Sequence, residues 1–240
     1  MSRAALLLVA LALTLTGCET SAEKSAKLEH EAQRLAALRP PPPKGLSITR
    51  QSTAVRVLET AVVHSSEGAA AVVSVRNTSP HALQGVPIAI TVRNAHGTTV
   101  FQNNAGGLEA ALVSVPSLPP HAELAWVNDQ VPASGEPAAV SARLGEAQAS
   151  AAGLPEIAVT AVHPSEGGTG AAGTVSNRSR IAQRKLVVFV VARRGGKVVA
   201  AGRAVVPELV AGASLPFEVF FVGEPRGAHL QASAPPTTFG

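Results

Sequence analysis

The sequence predicts an all-β protein made of two tandem antiparallel β-sandwiches behind a signal segment and a helical stalk. Three observations carry that reading. Beyond Lys44, short runs of Val, Ile, Thr and Ala are broken by Gly, Pro, Asn and Ser at intervals of about ten residues, the spacing of strands and turns. The length behind the N-terminal segments suits two domains of about a hundred residues each. A set of landmarks then recurs in the same order: "AVVHSSEG" at 61–68 and "TAVHPSEG" at 160–167, Asn77-Thr78-Ser79 and Asn177-Arg178-Ser179, Gly97 and Gly196, Trp126 and Phe217. Ordered recurrence of this kind marks a duplicated unit.

The N-terminal segment sets the location. Met1-Ser2-Arg3 leads into an apolar run from Ala4 to Leu13, the layout of a secretory signal. The run is too short to cross a bilayer, which needs about 20 residues. Leu15-Thr16-Gly17-Cys18 resembles the bacterial lipoprotein signal, the lipobox, in all four positions, and Cys18 is the chain's one cysteine. The resemblance implies cleavage between Gly17 and Cys18, with residues 1–17 as the signal peptide and a covalent diacylglyceryl lipid on Cys18. The alternative is an ordinary cleaved signal with an incidental cysteine. Each buried acyl methylene contributes about 0.8 kcal/mol, so the mature chain is expected outside the cytoplasm, on the cell membrane or the outer membrane. With Cys18 acylated no thiol remains for a disulfide or a nucleophile.

Residues 18–43 read as a helical stalk and polyproline spacer. Glu19 to Arg39 is rich in Ala, Glu, Lys, Gln and Leu without Gly or Pro. Glu23 and Lys27 form an i,i+4 pair, and Leu28, Ala32, Leu35 and Leu38 make a narrow stripe that suits either a plain spacer or a docking seam. Pro40 to Pro43 stop the helix and favour polyproline II.

The first sandwich is expected over 44–149, with strands at 55–64, 69–76, 86–94, 98–103, 123–131 and 138–147. The second is expected over 155–240, with strands at 157–163, 169–176, 186–192, 198–206, 214–222 and 229–234. "ASAAGL" at 149–154 is the boundary. "LVVFVV" at 186–191 is apolar at every position, as in a strand covered on both faces. In the second unit "GTVSNRS", "GGKVVA" and "LVAGASLPFEV" fall in sequence, and there the chain resembles the FxLYD-type immunoglobulin-like domain of bacterial envelope proteins. The second unit departs from that family at Val219-Phe220-Phe221, where Tyr-Asp is missing, and the first departs at Trp126 and Pro119-Pro120. The resemblance implies an immunoglobulin-like fold and an extracytoplasmic module.

Chemistry is sparse. Beyond the stalk lie one Asp and eleven Glu, scattered singly, and no nucleophile elbow, zinc-protease helix, P-loop or dinucleotide turn is present. A non-enzymatic protein without cofactor is therefore expected. His64 with Glu67, and His163 with Glu166, hold equivalent places and are the candidate metal ligands, but a zinc site wants three or four ligands and a hairpin turn explains the same spacing. Asn77 and Asn177 are expected to shape the loop after a strand. Residues 155–240 carry nine Lys/Arg against five Glu, concentrated in Arg178, Arg180, Arg184 and Lys185 and in Arg193, Arg194 and Lys197. These are the candidate contacts to anionic lipid, an envelope polymer or an acidic partner surface. The loops lack stacking aromatics and the net charge is small, so nucleic acid is not expected. The leading expectation is a lipid-anchored binding or scaffold module of the cell envelope. The alternative is a small-ligand- or metal-binding lipoprotein, with its site between the domains or at His64/His163.

Overall fold

A computed structural model describes residues 21–37, 43–66 and 68–239. The chain divides into two compact units, Met1–Pro42 and Pro43–Gly240. In the first, α1 (Ser21–Ala37) forms within the predicted stalk, with Glu23 in its first turn and Arg34 in its last, each placed favourably against the helix dipole. Leu28 and Leu35 are exposed. The signal segment, Gly17 and Cys18 lie outside the described residues. No described helix is long and apolar enough to cross a membrane.

The second unit is built almost wholly of antiparallel strands. Its first half contains β1 (Val55–His64), β2 (Ala69–Asn77), β3 (Leu83–Asn94), β4 (Thr99–Gln102), α2 (Ala110–Val113), β5 (Ser114–Leu118), β6 (Glu123–Val131), β7 (Pro137–Leu144) and β8 (Gln148–Ala149). One sheet runs β1-β2-β6; the other centres on β3, flanked by β4 and β5 along one edge and by β7 and β8 along the other. The second half contains β9 (Ile157–Pro164), β10 (Gly170–Asn177), β11 (Gln183–Arg194), β12 (Lys197–Leu209), β13 (Ser214–Phe220), β14 (Val222–Gly223) and β15 (His229–Ser233). Its sheets run β9-β10-β13 and β14-β12-β11-β15. The order is that of the first half: β1-β2-β6 answers β9-β10-β13, and β3 between β4 and β7 answers β11 between β12 and β15.

Among the elements not expected from the sequence are β5 and α2. β5 contains Pro116, which has no N–H to give to a ladder; the strand forms because it is an edge, bonded to β3 alone. α2 is a single turn whose carbonyls are taken by buried side chains: Trp126 Nε1 donates to Ala111 O at 2.7 Å and Asn103 Nδ2 to Leu112 O at 2.7 Å. The hairpin landmarks are geometrically equivalent, since Gly97 and Gly196 both close their turns at φ 81°. Trp126 lies opposite Val73, whereas Phe217 lies opposite Gly173, where an added Cβ would stand 2.9 Å from the ring.

The halves are not strung apart. Predicted as consecutive domains over 44–149 and 155–240, they join in one compact unit, with the β11–β12 sheet laid on the outer face of β1-β2-β6. Alternation along β11 sends its side chains to different cores. Val187, Phe189 and Val191 join the cluster that includes Trp126, Val72 and Val127, while Leu186, Val188 and Val190 join Val175, Phe217 and Val219. Sheets therefore stack in four layers, and the two middle sheets are covered on both faces. That is why "LVVFVV" has no polar position, and why β2 is buried along almost its whole length.

Phe189 is 1% exposed in the first cluster although it belongs to the second half. Phe189→Ala is expected to cost about 3–4 kcal/mol, as large-to-small core changes do. Urea denaturation followed by Trp126 fluorescence reads the loss directly from the other half.

Candidate functional site

The repeated Asn-x-Ser is a structural clamp. Asn77 and Asn177 are 0% and 1% exposed. Asn177 Nδ2 donates to Ile181 O at 2.9 Å and Leu209 O at 3.1 Å, and its Oδ1 accepts from Ser179 N and Oγ at 3.0 and 2.8 Å. Asn77 repeats the pattern on His81, Leu118, Pro119 and Ser79. Each amide thus ties the loop after one strand to the end of another, as the sequence expectation of a loop-shaping role requires. The burial leaves neither amide open to a modifying group.

The His-containing segments are hairpin turns. Ser65 N donates to Gly68 O at 2.9 Å, and Ser165 N to Gly170 O at 3.1 Å. His64 and His163 are exposed, and His163 Nδ1 lies 2.8 Å from the Ala161 carbonyl, within its own strand. Glu166 is exposed and Glu67 lies outside the described residues. Among the described residues no three His, Cys, Asp or Glu are gathered in a way that would hold a metal ion.

The predicted cations separate by what they touch. Arg193 is a seam residue: it grips Glu59 of the first half in a fork at 2.6 and 3.2 Å and also donates to Gln231 Oε1, Ser74 Oγ and Gly196 O. Arg178 pairs with Glu156 at 3.2 Å, and Arg194 donates to the Glu224 and Arg226 carbonyls. Lys197, the first residue of β12, and Arg180, in a loop, are both exposed. Sequence reading missed Arg203, the most buried cation of the seam. Its side chain is 6% exposed, and it donates to Asp129 at 2.8 Å and to Glu109 at 3.1 Å, both in the first half. The one aspartate of the chain was the available signal, because a lone Asp in a β-rich core needs a cation.

Arg184 and Lys185 remain, and the fold brings both to a groove between the halves. The groove encloses about 650 Å³, within the range of small-molecule sites. Ala111, Pro116, Val187, Val205 and Phe239 give it apolar walls, and Glu109, Glu146, Arg184 and Lys185 stand at its polar positions. Both acids are engaged elsewhere, Glu109 with Arg203 and Glu146 with Arg50 at 3.1 Å each. Neither Arg184 nor Lys185 has a side-chain ion pair among the described residues, although Glu208 lies opposite Arg184 in the β11–β12 register.

The backbone at Lys185 is unusual. The two halves share left-handed positions: Gly85 at φ 59° answers Lys185 at φ 49°, and Gly212 at φ 74° answers His121 at φ 56°. Gly85 and Lys185 each stand opposite a proline, Pro116 or Pro207, at a position where the pairing is skipped without a change of register, and both line the groove. A side chain in this region is strained by roughly 1 kcal/mol relative to glycine. Proline has no N–H to give, so the ladder is interrupted there.

Removing a clamp strands several buried backbone carbonyls, so Asn177→Ala or Asn77→Ala should each lower stability by about 2–3 kcal/mol in thermal or urea unfolding. Lys185→Gly should do the opposite and raise stability by about 1 kcal/mol, measured by the same unfolding. No protein-family model matches the chain and no curated protein matches it.

Proposed function

We propose that this is a lipid-anchored protein of a bacterial cell envelope that binds a partner or ligand without catalysing a reaction. The observation that carries the reading is Leu15-Thr16-Gly17-Cys18, with the chain's one cysteine at the end of a signal-like apolar run. Cys18, acylated, begins the mature chain, and residues 18–43 form the spacer behind the anchor. Beyond it stand two immunoglobulin-like sandwiches of the FxLYD type, a reading supported by the matching strand order of the two halves.

Binding rather than catalysis is supported by how the acidic groups are used. Glu59, Glu109, Glu123, Asp129, Glu146 and Glu156 are each paired with an arginine, and Asp129, Glu109 and Glu59 hold the halves together. Acids committed to ion pairs are poorly suited to exchange protons with a substrate. Contact with an envelope protein is supported by β13, an edge strand that leaves Leu215 and Phe220 exposed, the latter at 71%. The small-ligand reading, with a site between the halves, is supported by the groove at Arg184 and Lys185.

Cys18→Ser tests the anchor. Expressed with its own signal in a bacterial host, the wild-type chain should sediment with membranes and label with radioactive palmitate. The variant should lose the label and move to the soluble extracytoplasmic fraction. A variant that still sediments with membranes would show that acylation is not what holds the protein there.

A further inference from the structure

We infer that the groove between the halves binds an anionic amphiphile: one carboxylate or phosphate head on a compact apolar body, the head held by Arg184 and Lys185. The inference deepens the ligand-binding reading above and identifies the chemistry of its ligand. It begins from charge. Both acids at the groove already satisfy arginines, whereas its two remaining cations have no ion-pair partner among the described residues. A ligand entering the groove therefore meets two cations that no carboxylate holds in an ion pair, Glu208 being the register partner of Arg184 across β11–β12. An anionic head would complete charge-assisted hydrogen bonds, bidentate in the case of Arg184.

The walls specify the rest of the ligand. Val205 is 41% exposed although it faces the seam side of β12, and it stands with Pro116, Val187 and Phe239 around the same space. Covering those side chains removes apolar area from water, so an anion with an apolar body gains more there than a bare ion. A second groove, of about 800 Å³ beside residues 150–157, offers no comparable site. Its carboxylates Glu123 and Glu156 are paired with Arg76 and Arg178, and no Lys or Arg lines it.

The backbone adds an independent argument. At the equivalent place the first half has Gly85, which takes the left-handed conformation freely, but the second half keeps a lysine there. A strained residue where glycine would be more stable points to work done by its side chain. Lys185, opposite Pro207 in the β11–β12 register, lines the groove together with Arg184.

The test uses the full chain carrying Cys18→Ser, so that neither an acyl group nor detergent competes for the groove. Isothermal titration compares decanoate, decyl phosphate, decyltrimethylammonium and inorganic phosphate. The two anionic amphiphiles should bind at one site per chain, and the cation should not. Inorganic phosphate should bind at least about tenfold more weakly than decyl phosphate, since it leaves the apolar walls uncovered. Arg184→Gln and Lys185→Gly should each weaken the amphiphiles by about tenfold or more, the loss expected for a charge-assisted contact. Arg180→Gln, a loop cation outside the groove, should leave binding unchanged. Lys185→Gly should remain folded and melt higher, so that weaker binding is not a failure to fold. Flotation with phosphatidylglycerol vesicles separates a membrane-lipid source from a free ligand: co-flotation lost in Lys185→Gly indicates the lipid, and titration without flotation indicates a free anion. The proposal is overturned if decanoate and decyl phosphate fail to bind, if the cation binds equally, or if Arg180→Gln weakens binding as much as Lys185→Gly. Because the anchor is removed in every sample, these outcomes are independent of whether Cys18 carries lipid.

Discussion

A strand that is apolar on both faces has to be covered on both, and β11 is the strand on which the second unit is assembled. Leu186, Val188 and Val190 close the core of their own half, while Val187, Phe189 and Val191 enter the core of the other. Burial of a large apolar side chain is worth about 1.5–3 kcal/mol, so neither face can be left in water without severe loss. The outer face of β1-β2-β6 is the complement, since it offers Val72 and Val127 to the same cluster. The polar pairs follow from that stacking. Arg193 meets Glu59 and Arg203 meets Asp129 only because the sheets lie face to face, and they fix where one half sits on the other.

The groove is a by-product of the same packing. Gly85 of β3 and Lys185 of β11, both left-handed, line it from the two halves. The chain near its C-terminus helps to form the groove. Gln183, fully buried, exchanges hydrogen bonds with Thr237 and Thr238, and Ser117 Oγ donates to Pro236 O at 2.9 Å. Phe239 is carried to the groove by those bonds. A groove formed in this way depends on both halves at once.

Much of the strand pattern was legible in the sequence because period and punctuation are local. The twelve expected strands all have counterparts, displaced at the ends by a few residues, and the landmarks sit at equivalent places in the two halves. β5 was hidden by Pro116, and α2 by its brevity, since it exists through hydrogen bonds from Asn103 and Trp126 that no local pattern announces. "LVVFVV" announced double-sided cover but not its source, because the covering residues lie far away in sequence. The loop-shaping role of Asn77 and Asn177 was legible, since the bonds to Ser79 and Ser179 are local, whereas their ties to Leu118 and Leu209 were not. The candidate cations were legible as a set but not individually: Arg193 and Arg178 are engaged in ion pairs, whereas Arg184 and Lys185 are left at a groove that exists only in the assembled unit. Lysine carries no signal for a left-handed backbone, so the strain at Lys185 was invisible before the fold.

The central claim is that the two halves share one fold rather than standing as separate domains. It is tested most directly by expressing residues 155–240 alone and measuring amide hydrogen exchange along β11. Without the first half, Val187, Phe189 and Val191 lose their cover, and the fragment should show no protected β11 amides and no cooperative melting. A fragment that melts cooperatively with β11 protected as in the full chain would contradict the account.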